Sequence, residues 1–127
     1  ITIWLIERGA DVVTATGNES VVGTIQAAKE KNVMAIGTAF DSASFAPDTI
    51  VTTAIVRFDV NIDMALGLVV SKKLEPKNYL LGFNENGLDL APYRNFDGKI
   101  SAENKAKIAQ LIADIKAGKV ADLPKIQ

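Results

Sequence analysis

Cysteine and histidine are both absent from the 127 residues. Without cysteine there are no disulfides and no thiol chemistry, and the compartment stays open, since many secreted bacterial proteins also lack it. Without histidine the common zinc sites and imidazole-based acid–base schemes are gone. Carboxylates, lysines and serines remain, so catalysis is disfavoured by composition but not removed by it. Neither sign of charge dominates: 14 Lys and Arg stand against 15 Asp and Glu. The basic residues are scattered, whereas a nucleic-acid surface needs them clustered. No window reaches the roughly 18 consecutive apolar residues of a membrane helix. There is no internal repeat and no low-complexity stretch.

What is present is core. Hydrophobic residues make up 48% of the chain and are spread along its whole length, enough for one domain with a real interior. The chain opens on Ile1-Thr2-Ile3-Trp4-Leu5-Ile6, inside an apolar segment and without an initiator Met or a signal sequence, and is read here as a piece of a longer protein.

The order of elements alternates. Ile1, Trp4 and Leu5 share a helical face, and Gly9 is placed to close that helix. A β-rich run follows over Asp11 to Thr16, then a turn at Gly17-Asn18-Glu19-Ser20. A helix carries Val21, Ile25 and Ala28 as far as Asn32. Val33 to Thr38 reads as a buried strand, Phe40 to Asp48 as a loop, and Ile50 to Val56 as a third strand. Phe58, Ile62, Ala65, Leu66 and Val69 define an amphipathic helix ending before Pro76. Asn78 to Phe83 reads as a fourth strand and Gly87 to Tyr93 as a paired extended segment. Ser101 is placed to cap a last helix with Ile108, Leu111, Ile112 and Ile115 as its stripe and Gly118 as its stop. This alternation predicts an α/β fold with a mostly parallel sheet. The Asn- and Gly-rich stretch from Asn84 to Asp97 is where the chain would leave one lobe for another.

Ligands of such sheets bind beyond the C-terminal ends of the strands, here the loops Thr14–Asn18, Thr38–Phe45, Val56–Asp59 and Phe83–Asn86. Thr16, Gly17 and Asn18 precede a helix, so their exposed N–H groups can hold an anion or a hydroxyl; an ordinary capped turn uses the same residues. Asp41, just past a strand end, can accept hydrogen bonds from sugar hydroxyls or an amine, or bond its own loop backbone. Arg57 can point into a cleft or pair with a carboxylate, and Asp59 reads as a helix cap. Phe40, Phe58 and Phe83 can stack on a flat base or pack in the core. There is no GxSxG elbow, P-loop, GxGxxG or metal-ligand cluster, and no paired-carboxylate arrangement. The chain therefore reads as a binding protein without catalytic residues, metal or cofactor.

Several segments taken together resemble the C-terminal lobe of the basic membrane protein family. They are Gly9-Ala10-Asp11-Val12-Val13, Gln26 to Lys31, Val33 to Gly37, Ala46-Pro47-Asp48-Thr49, Val51-Thr52-Thr53 with Arg57-Phe58-Asp59-Val60, Tyr79 to Gly82, Gly87, and Leu90-Ala91-Pro92-Tyr93. Their order and spacing match from about Gly9 to the C-terminus. The resemblance implies a type I periplasmic-binding-protein fold with two three-layer α/β lobes joined by a hinge and closing on a ligand. Residues 1–83 would be part of the C-terminal ligand-binding lobe. Residues 84–127 would be the hinge crossing and a helix that packs on the other lobe. It further implies a periplasmic or cell-surface location through a lipid anchor, an ABC permease partner and a purine nucleoside ligand. Two positions depart from the family pattern. Ala39 stands where many nucleoside-binding members carry Asp, although Asp41 is kept, and Val56 stands where they carry Lys before the position of Arg57. A free base or another small heterocycle is therefore an alternative ligand. The Gly-rich turn of many relatives is replaced by Thr14 to Ser20.

The main rival is the effector-binding domain of a repressor-type regulator, which shares the fold; a small flavodoxin-like enzyme and a designed chain that binds nothing are further ones. An isolated lobe is also expected to expose a face that a homodimer would cover.

Overall fold

The computed structural model describes residues 1–17 and 19–120. Helix α1 (Thr2–Glu7) stops where Gly9 takes a φ of +97° and donates its N–H to Ile6 O at 2.9 Å. That left-handed C-terminal turn is cheap for glycine, and it sends the chain directly into strand β1 (Val12–Thr14). Helix α2 (Glu19–Glu30) buries Val21, Thr24, Ile25, Ala27 and Ala28, a single face at helical spacing. Asn32, with φ +54°, ends it, and Val33 N–H reaches back to Ala28 O at 3.0 Å. Strands β2 (Met34–Ala39) and β3 (Ile50–Val56) follow, joined by a loop with a 3-10 turn at Ala43–Phe45.

The sheet order is β1-β2-β3-β4, with the first three strands parallel and β4 (Leu88–Leu90) antiparallel to β3. This is the α/β parallel-sheet fold expected from the alternation. The core lies on one face of the sheet, where Val13, Ala35 and Ile50 meet Val21, Ile25 and Ala28 of α2 and Ala46 of the loop, with Ile6, Ala10, Ala15 and Val33 around them. Thr2 of α1 is hydrogen-bonded to Thr24 of α2 at 3.0 Å between hydroxyls. A register shift between β2 and β3 pairs Ala35 with Ile50 but Ile36 with Thr52, leaving Val51 unmatched. That extra residue lets both Ile50 and Thr53 turn toward the covered face; they are 2% and 0% exposed. The opposite face carries Val12, Met34 and Ile36, all exposed.

Helix α3 (Phe58–Val70) and helix α4 (Ala102–Lys116) bury no residue. Ser101 caps α4 as its position predicts, accepting Asn104 N–H at 3.2 Å, and Gly118 follows that helix with φ +67°. Between β4 and α4, Phe96 is buried within a 3-10 segment, Arg94–Lys99.

One expected strand is not formed. Asn78 to Phe83 is irregular because the edge position beside β3 is occupied by Leu88–Leu90, inside the extended segment expected over Gly87 to Tyr93. The 78–83 stretch instead satisfies its polar groups locally: Tyr79 OH accepts Glu75 N–H at 2.9 Å, and Glu85 Oε2 accepts Gly82 N–H at 2.8 Å. Such side-chain bonds compete with pairing into a ladder.

Candidate functional site

Because β1, β2 and β3 are parallel neighbours, the loops that follow them emerge at one edge of the sheet. Hydrogen bonds tie these ends together: Thr14 Oγ1 donates to Ile36 O at 3.0 Å, and Thr38 Oγ1 to Ala15 O at 2.8 Å. Antiparallel β4 starts at the same edge, where Gly87 O accepts Arg57 N–H at 2.9 Å. The turn at Phe83–Asn86 thus lies beside Arg57 although no strand leads into it. Thr16, Gly17, Asp41 and Arg57 come from the loops of this one edge; Asn18 lies outside the described residues.

The β2 end is built on close approach. A Cβ on Gly37 would stand 2.5 Å from Thr53 Oγ1 and closer still to Ser42 Oγ, so the loop can fold over the strand only because that position is glycine. Ala39 then turns the chain with φ +72°, a conformation an L side chain resists. Phe40 follows with 54% of its surface exposed, and Phe58, the first residue of α3 just past β3, is 57% exposed. Both rings therefore face solvent at the strand-end edge instead of joining the core, and Phe83 is half-buried. Phe40 packs edge-on against Phe45, with ring centres 6.2 Å apart.

Each candidate charge has a partner. Asp41 Oδ1 accepts Ala43 N–H at 3.2 Å, the local loop bond its position allows, and also Arg94 Nη1 at 3.0 Å; Arg94 Nη2 donates to Oδ2. The hydrogen bond from Arg94 lowers the Asp41 pKa below the ordinary 3.8, partial burial opposes it, and the Ala43 N–H assists it. Arg57 forks onto Asp59, Nη2 to Oδ2 at 2.6 Å and Nε to Oδ1 at 2.9 Å. That hydrogen bond brings Asp59 to about 2 and raises Arg57. Asp59 is not the cap residue of α3, as its place in the sequence suggested. Arg57 stands at that position and makes no side-chain cap, and Asp59 lies in the first turn, where its charge suits the helix dipole. Thr16 O accepts Ser20 Oγ–H at 3.4 Å, and Gly17 adopts φ +135°. At neutral pH the edge thus presents two internally compensated ion pairs, hydroxyls, backbone groups and two exposed aromatic rings, an arrangement suited to hydrogen bonding and stacking. Arg94 is the member that sequence reasoning missed. It lies 53 residues from Asp41, and no local motif announces so distant a partner.

A groove of about 800 Å3 lies at the other edge, lined by Lys29, Asn32, Met34, Pro47, Asp48, Lys99 and neighbours at the N-terminal ends of β2 and β3.

Residues 3–119 match the family model described as "ABC transporter substrate-binding protein PnrA-like". The chain belongs to this family. It is 30% identical over 108 residues to a purine-binding protein of Brucella abortus, a match covering 82% of this chain and 30% of that protein. Among solved structures, a solute-binding protein of an ABC transporter system from Aeropyrum pernix K1 superposes with TM-score 0.84 at 19% identity, covering 99% of this chain and 44% of the other. A transcriptional activator of the comK gene from Bacillus halodurans gives 0.80 at 21% identity, covering 96% and 41%. These last two likenesses establish the fold, which a transport protein and a regulator share; the family match assigns this PnrA-like chain to substrate-binding proteins of ABC transporters. The chain spans less than half the length of these relatives.

Proposed function

We propose that this PnrA-like chain forms one wall of the ligand cleft of a solute-binding protein that delivers a purine nucleoside, nucleobase or similar small heterocycle to an ABC permease outside the cytoplasm. The observation that carries this reading is the gathering of three strand-end loops at one edge, with Phe40 and Phe58 exposed there beside hydrogen-bonding groups. An aromatic ring buries large apolar area and stacks on a flat partner, so two rings held in water at a strand-end edge suit a planar ligand. The charges there are matched, Asp41 by Arg94 and Arg57 by Asp59, which suits a neutral heterocycle better than a phosphate.

In this reading Thr16, Gly17 and Asn18 offer backbone donors and a hydroxyl, and Asp41 and Arg57 offer charged hydrogen bonds. Residues 1–83 are the binding lobe, and residues 84–127 provide the crossing and the helix toward a second lobe supplying the opposite wall. Ligand closes the two walls because it binds the closed state better than the open one, and closure presents a surface to the permease. A lipid anchor on the whole protein would hold it at the membrane.

Titration calorimetry of the full-length protein with adenosine, guanosine, inosine and the free bases tests this directly. Saturable heat with at least one purine is expected, with Phe58→Ala weakening it about tenfold, in line with the roughly 1–3 kcal/mol that base–aromatic stacking contributes. Heat with none of them would remove the purine assignment and leave the family membership in place.

A further inference from the structure

Adjacent residues Arg94 and Asn95 reach opposite ends of the β2–β3 loop. Arg94 grips both carboxylate oxygens of Asp41, where the loop leaves β2. Asn95 Nδ2 donates to Asp48 Oδ1 at 2.9 Å, where the loop returns to β3. Between these anchors the loop is seated on the sheet by buried Ser42, Ala43 and Ala46. The gripping segment is itself fixed: Ala91 N–H donates to Thr53 O at 2.9 Å, Thr52 Oγ1 donates to Ala91 O at 2.7 Å, and Phe96 is buried. Arg94 pays for its reach with a φ of +44°, a backbone state that a residue with a Cβ keeps only when its surroundings impose it.

We propose that Arg94 and Asn95 form a two-point clamp that makes the β2–β3 loop and the segment after β4 one rigid body, with Arg94 as the positioning residue for Asp41. The bidentate fork matters here because it fixes orientation as well as distance, which a lysine ammonium cannot do. If the strand-end edge is the ligand wall argued above, the clamp transmits any displacement of the segment after β4 to the Asp41 loop; the clamp itself does not depend on that reading.

Backbone hydrogen exchange followed by NMR on this chain, with no ligand added, tests it. Arg94→Ala is expected to speed exchange of the Ala43 and Phe45 amides by about three- to tenfold, and Asn95→Ala to do the same for Thr49. Amides of the β1–β2 ladder should stay within about twofold. Arg94→Lys should recover little of the protection, because an ammonium cannot fork onto both oxygens of Asp41. Loop rates unchanged in Arg94→Ala, or all amides speeding up equally, would overturn the clamp. Because no nucleoside is used, this result stands apart from success or failure of the purine titration.

Discussion

Helices α2 and α3 are nearly equal in length, 12 and 13 residues, and opposite in fate. The first mixes one glutamine, one lysine and two glutamates with its apolar residues, yet buries five side chains against β1, β2 and α1. The second is richer in large apolar side chains, yet leaves Phe58, Ile62, Leu66, Val69 and Val70 between 55% and 83% exposed. Helical pattern says which face wants to be dry, and only a neighbouring element can make it dry. The covered face of the sheet has that neighbour. Helix α3 has only the irregular 79–85 stretch beside it, where Val60 and Met64 line a shallow pocket with Tyr79, Leu80 and Leu81, and none of its residues is buried.

The contrast can be broken by substitution. Ile50→Ala removes a side chain that is 2% exposed in the middle of the core, and urea unfolding should show a loss of about 2–5 kcal/mol. Ser101→Ala removes the hydroxyl that accepts Asn104 N–H at the head of α4; a loss of about 1 kcal/mol of local helix stability is expected, read as lower helical circular dichroism with an unchanged core transition. Smaller again is the effect of acid on the Arg57–Asp59 pair. Asp59 is depressed to about 2 from 3.8, so its stabilising contribution is complete above the unfolded value and lost as pH falls through about 2. Replacing it by Asn should flatten the fall in stability between about pH 4 and pH 2, slightly, and less so in high salt, because the pair is exposed. Leu66→Ala, on the open face of α3, should change unfolding free energy by no more than about 0.5 kcal/mol. A cost for Leu66→Ala matching that of Ile50→Ala would show that α3 is packed in solution and erase the contrast.

Which edge carries the candidate residues was legible in advance because parallel strands force it. Once β1, β2 and β3 run the same way side by side, Gly17, Asp41 and Arg57 must emerge at one edge, and the alternation of elements was enough to predict that. The segment at Asn78 to Phe83 reads as a strand because its short apolar run Tyr79-Leu80-Leu81 looks like any buried strand, while the choice of which segment fills the edge beside β3 belongs to register and local side-chain bonding. Phe40 and Phe58 could be assigned to core or surface only with the backbone in view, since an aromatic at a strand end serves either.

By itself the amino-acid order determined the periodicities, the glycine and asparagine stops at Gly9 and Asn32, the Ser101 cap and therefore the α/β class, because these depend on contacts within a few residues. Only the tertiary structure decided that Arg94 holds Asp41 and Asn95 holds Asp48, that β4 takes the edge of β3, and that α2 is buried while α3 is not. Those outcomes join residues tens of positions apart, and their energies come from packing and paired charges that exist only once the chain has closed on itself.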